Sequence, residues 1–194
     1  MTVRCATTNP GKLREFRRAG ERSGGFVVEP LPGLGEIPPP DETGGTFEAN
    51  AIEKARYYAA HTPDWIFVDD SGLEVDALGG APGIYSARFA GEGADDAANN
   101  RLLLERLANA PERGAHFVCV IALARDGRLV RTFRGEVKGT IVHAPRGPHG
   151  FGYDPLFYYA PFGCTFGEAD PDEKMKVSHR AQALRAMFDY LRTV

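Results

Sequence analysis

With 194 residues, 43% of them hydrophobic and 25% charged, the chain can bury a substantial core and is expected to form one domain over 1–194. Its formal net charge of −3 argues against a broad nucleic-acid-binding face, and no apolar run is long enough to span a bilayer, so neither nucleic acid nor membrane is an expected partner. Cys5, Cys119 and Cys164 are widely separated and include no C-x-x-C pair, which argues against a disulfide framework or zinc site; with no signal peptide evident, a reducing cytoplasm is the expected compartment.

Thr2 to Thr7 reads as a first strand. Asn9-Pro10-Gly11-Lys12 follows, and a helix begins there (KLREFRRAGER). A strand, a tight turn and a helix start present backbone N–H groups and a positive dipole end to an anion, and Lys12 adds a full charge. The pattern is not a P-loop, because GxxxxGK[ST] is absent. Gly24-Gly25 ends the helix, FVVEPL reads as a second strand, and GEIPPPDETGG is a stiff loop with Asp41 and Glu42 at its tip. Thr46 opens a long helix with a small-residue face (Ala51, Ala55, Ala59) and Lys54 near its start.

The central stretch, FVDDSGLEVDALGGAPGIYSARF, starts as a buried strand from Trp65 to Val68. Asp69 and Asp70 then arrive together. Successive strand residues point to opposite faces, so both carboxylates cannot enter one apolar core. A sharp turn at Ser71-Gly72 is expected, which places both acids at an open sheet edge of the kind that binds ligands. Beyond it, Gly93 to Leu107 reads as a helix, with DDAANN supplying capping signals and LLLERL an apolar face. Two β-rich runs flank Asp126-Gly127, a hairpin signal. GPHGFGYDPLFYY is a Gly-flanked loop entering a short strand, and a terminal amphipathic helix has Ser178 as its N-cap with His179 and Arg180 first. The order of elements predicts an α/β fold with a mixed sheet.

Five of these pieces together resemble one family, the Ham1 inosine triphosphate pyrophosphatases: TTNPGK, TF-x-x-NA-x-x-KA, DDSGLEVDALGGAPGIYSARF, FGYDP, and EK followed by SHR. They span nearly the whole chain in the family's order. The resemblance implies a two-lobed mixed sheet flanked by helices, with the active site in the cleft between lobes. It further implies a homodimer, a Mg²⁺ requirement, and hydrolysis of ITP, dITP and XTP to the monophosphate and pyrophosphate.

Residue by residue, the resemblance implies that Thr7, Thr8, Asn9, Pro10, Gly11 and Lys12 hold the triphosphate. Glu42 and Asp70 match Mg²⁺ carboxylates, and Asp70 also the proton acceptor; Asp69 is a further metal or outer-sphere carboxylate. Lys54 and Lys174 match triphosphate lysines, and Ser71 a substrate contact. Phe151 stacks on the purine, with Gly152, Tyr153 and Asp154 shaping that pocket. His179 and Arg180 read the base edge. A cation at a helix start opposes the dipole, which suggests an anionic or acceptor ligand near Arg180.

Two positions depart from the family pattern. Ala49 stands where a Glu is usual, which removes the reciprocal half of a capping box with Thr46. Ala181 stands in place of a Gly after SHR. Two other readings remain: a Maf-type pyrophosphatase acting on modified pyrimidine nucleotides, and a nucleotide sensor without turnover.

Overall fold

The computed structural model describes residues 1–194. Its organising element is the strand β3, Ile66–Val75, whose residues are almost all buried. The turn expected at Ser71-Gly72 is absent: the strand continues through both acids and through Ser71 and Gly72. A strand covered on both sides tolerates Asp69 and Asp70 because each meets cations on its own side, so no turn is needed to bring them to an edge.

The sheet has seven strands. β1 (Thr2–Cys5), β2 (Val27–Pro30) and β3 are parallel neighbours. β4 (Gly114–Arg125) and β5 (Arg128–Ile141) form a hairpin, and β6 (Phe157–Tyr159) and β7 (Cys164–Thr165) continue antiparallel. The order is β2-β1-β3-β4-β5-β6-β7, a mixed open sheet. Asp126 and Gly127, at φ 50° and 72°, make the tight turn that the right-handed twist of paired strands prefers.

Five helices complete the fold: α1 (Pro10–Ser23), α2 (Phe47–Ala59), α3 (Asp96–Arg106), α4 (Pro171–Val177) and α5 (His179–Leu191). Their starts follow local chemistry. Asn9, Thr46 and Asp95 each accept a backbone N–H of the first turn through the side chain. At Thr46 the cap is one-sided, since its acceptor holds the Ala49 N–H and Ala49 has nothing to return. The terminal helix starts at His179 after the extended Ser178, as the sequence predicts, and is α5; the shorter α4 just ahead of it is an additional helix.

The chain divides into two compact units. The first contains Met1–Asp70, Cys119–Gly135 and His179–Val194. In it α1 packs on α5, with Phe16 against Phe67 and Phe26 against Phe188. The second contains Ser71–Val118 and Glu136–Ser178, and its core joins Leu73, Leu103, Leu107, Phe117, Phe157 and Phe166. No helix is long and apolar enough to cross a membrane.

Candidate active site

In the first unit, the alternation of β3 sends its two acids to different partners. Asp69 meets α1 and α5: the Lys12 ammonium lies 3.0 Å and 2.9 Å from its two oxygens, and Arg180 Nε lies 3.6 Å away. Burial by itself raises the Asp69 carboxyl, but Lys12 and Arg180 outweigh it and hold the group at about 2. Asp70 meets α2: Lys54 donates to its Oδ1 at 2.7 Å and Asn50 Nδ2 to its Oδ2 at 3.3 Å. For Asp70 burial prevails over the pull of Lys54, and its carboxyl is raised. Adjacent residues on one strand are thus tuned in opposite directions.

Lys54 also donates to Glu42 Oε1 at 3.0 Å, so a single ammonium joins Glu42 and Asp70. Burial works against the Lys54 charge, but these two carboxylates more than restore it and its affinity for the proton is raised. Asp69, expected as a further metal or outer-sphere carboxylate, has Lys12 and Arg180 as its direct partners. Asn50, within the TF-x-x-NA motif but given no role from sequence, is fully buried, and its Oδ1 has no hydrogen-bond partner.

The turn before α1 offers fewer donors than expected. The Asn9 N–H points to Thr7 Oγ1 at 3.2 Å, the Lys12 N–H to Asn9 Oδ1 at 3.0 Å, and Pro10 has none. The Thr8 and Gly11 amides and the Lys12 ammonium remain for an anion. Arg180 is 3% exposed, and its Nη1 donates to Glu15 Oε2 at 2.5 Å. The charge set against the dipole of α5 therefore has two protein carboxylates as its counterpart, Glu15 and Asp69. With these carboxylates in place, the opposed dipole is by itself no sign of a ligand at Arg180. Nothing in the single sequence marks Glu15, which lies 165 positions from Arg180.

In the second unit, Phe151, Gly152, Tyr153 and Asp154 form the turn ahead of β6. Asp154 Oδ2 accepts the Phe151 N–H at 2.9 Å and the Lys174 ammonium at 2.6 Å. Gly150 lies against this carboxylate, and a Cβ there would sit 2.1 Å from Asp154 Oδ2. Tyr153 donates its hydroxyl to Ser86 O at 2.8 Å. Lys174, expected with the phosphates, is 4% exposed and lies 5.3 Å from the Phe151 ring centre and 5.7 Å from that of Phe166. Through Asp154 it is joined to the aromatic turn. Ser71 follows the acids on β3 and is half-buried. A cavity of about 660 Å³ is bordered by α3 and this turn, including Asp96, Asn100, Phe151 and Gly152.

The Ham1 family model matches residues 3–190. A protein of Exiguobacterium named dITP/XTP pyrophosphatase is 50% identical over 187 residues, covering 96% of this chain and 95% of the relative. One of Syntrophobacter fumaroxidans with the same name is 52% identical, covering 92% and 77%. Among solved structures, a HAM1 protein from Coxiella burnetii superposes with a TM-score of 0.87 at 39% identity over the full length of both chains. The Ham1 protein of Staphylococcus aureus gives 0.87 at 38%, over 100% of this chain and 99% of that one. With its sequence matched nearly end to end and its seven-stranded mixed sheet shared, the chain belongs to the Ham1 family.

Proposed function

We propose that the chain hydrolyses the non-standard purine nucleoside triphosphates ITP, dITP and XTP to the monophosphate and pyrophosphate, cleansing the nucleotide pool. The observation that carries this reading is 50% identity over 96% of the chain to a protein named dITP/XTP pyrophosphatase. The Glu42–Lys54–Asp70 arrangement supplies the chemistry such a reaction asks for.

Glu42 and Asp70 fit a divalent cation on two observations. One positive charge, the Lys54 ammonium, already bridges them, and a buried oxygen without a partner, Asn50 Oδ1, adjoins Asp70. Hard carboxylate oxygens suit Mg²⁺, which usually takes one or two carboxylates together with phosphate oxygens. When bound, the ion supplies Lewis-acid stabilisation of charge growing on the phosphate oxygens.

The chain's own residues do the rest. Asp70 orients a water toward the α-phosphorus and takes its proton; the raised affinity of this carboxyl for a proton suits a base. Lys54 keeps one of its three ammonium donors beyond those given to Glu42 and Asp70, and Lys12 likewise beyond Asp69. These cations offset the negative charge that develops as pyrophosphate leaves. Asp69 aims Lys12, and Arg180 with Glu15 fixes Asp69. Phe151 stacks on the base, Asp154 and Lys174 hold the Phe151 turn, and the family resemblance assigns His179 to reading the base edge. A site that pairs with a 6-oxo acceptor leaves groups unmatched against the 6-amino group of adenine, a difference worth on the order of 10⁴-fold in buried sites. The enzyme acts as a homodimer, as the family resemblance implies, in a reducing cytoplasm, the compartment its three scattered free cysteines suit.

The test is pyrophosphate release from a panel of nucleoside triphosphates with and without Mg²⁺. ITP is expected to yield IMP and pyrophosphate in one step. Accumulation of IDP and orthophosphate would overturn the assignment. Preference for modified pyrimidines would favour the Maf-type reading, and binding without turnover the sensor.

A further inference from the structure

We propose that Asp96 and Asn100 of α3 are positioning residues that fix the base-stacking turn at Phe151–Gly152, a role that rests on the stacking function proposed for Phe151. Both backbone polar groups of Gly152 are held by this one helix. Its N–H donates to Asp96 Oδ2 at 2.6 Å, and its carbonyl accepts from Asn100 Nδ2 at 2.9 Å. Asp96 and Asn100 are four residues apart, so they share one face of α3. From the other side, Asp154 takes the Phe151 N–H and is itself gripped by Lys174. The backbone that carries the Phe151 ring is thereby tied to two separate elements, α3 and α4.

The DDAANN stretch does more than start a helix. Asp95 is the cap, through the Ala98 N–H at 2.7 Å. Asn99 fixes a second loop, accepting the Ala90 N–H at 2.8 Å and donating to Ala87 O at 3.2 Å. Asp96 and Asn100 remain for Gly152. Asn100 is 8% exposed, and its Oδ1 has no partner. An apolar side chain would fill that place without an unsatisfied oxygen; what it could not supply is the donor to Gly152 O. The same two residues border the cavity that Phe151 and Gly152 line, so the clamp forms part of its wall. A ring held in place before the base arrives loses less freedom on binding than one on a loose loop, and the gain appears in binding rather than in the chemical step.

Asp96 is exposed and is not the cap of α3, so its replacement leaves the core and helix start intact. Asp96→Ala is expected to raise KM for ITP by about tenfold with kcat within about threefold, the pattern of lost uniform binding. Asp96→Asn keeps an acceptor for the Gly152 N–H and is expected to restore KM. Asn100→Ala should act as Asp96→Ala does. In a Phe151→Ala background neither change should raise KM further, because the clamp acts through that ring. Normal KM in Asp96→Ala and Asn100→Ala while Phe151→Ala raises it would overturn the clamp alone. An unchanged KM in Phe151→Ala would overturn the stacking role and the clamp with it. Failure of Asp96→Asn to rescue, or full additivity with Phe151→Ala, would reduce α3 to a structural support.

Discussion

Asp69 and Asp70 are adjacent and equally buried, yet their neutral variants are expected to fail in different ways. The Asp69 carboxyl falls from 3.8 to about 2 on folding, a net stabilisation of the ionised form on the order of 2 kcal/mol. Asp69→Asn forfeits this and leaves Arg180 with Glu15 as its remaining close carboxylate. Breaking a buried pair from one side costs about 3–5 kcal/mol, so the two figures bracket the loss at about 2–5 kcal/mol. For a chain of this size that is a fall of about 4–20 °C in Tm. Asp70 is the reverse case: folding disfavours its charge, and Lys54 keeps Glu42 when Asp70 is neutral. Asp70→Asn should therefore melt within about 3 °C of wild type, while ITP turnover falls by about 10²–10⁴. The assays are thermal denaturation followed by circular dichroism and pyrophosphate release at 25 °C, where both variants are folded. Near-wild-type turnover in Asp70→Asn with an inactive, normally melting Asp69→Asn would refute the assignment of a base on one side of β3 and an anchor on the other.

Three other outcomes follow from the same geometry. Because the folded Asp69 carboxyl lies below its unfolded value, its contribution to stability is complete above about pH 4 and is lost as pH falls toward 2; Tm measured against pH should drop over that range and drop less in Asp69→Asn. Arg180→Ala should lower Tm and reduce ITP and ATP hydrolysis by the same factor, since its partners are Glu15 and Asp69; a collapse of the ITP/ATP ratio of kcat/KM instead would return Arg180 to the base edge. Burial pushes the Cys5 thiol up to about 12 and raises Cys119 as well, whereas Cys164 is half-buried, so native protein at pH 8 should show one thiol reacting with a disulfide reagent and unfolded protein three.

What the chain determined by itself is local. The polar residues at Asn9, Thr46 and Asp95 set helix starts because a cap needs only an oxygen within three residues. Asp126-Gly127 set a hairpin because the turn needs only two residues at positive φ. The motifs carrying Lys54, Asp70 and the Phe151–Asp154 turn are contiguous or nearly so, which makes the family legible. Partnership was not legible. Period-two alternation says that Asp69 and Asp70 face apart, but only the packing of α1 and α5 on one side and α2 on the other decides which acid meets Lys12 and which meets Lys54. Without those cations a strand through two buried acids is unfavourable, and that is why the sequence by itself suggests a turn at Ser71 where β3 runs on. Arg180 finds Glu15 across 165 positions, and α3 finds Gly152 across 52 and 56. Pairings at such separations carry no local signal, because the burial that makes them favourable exists only once the sheet and its helices have closed around them.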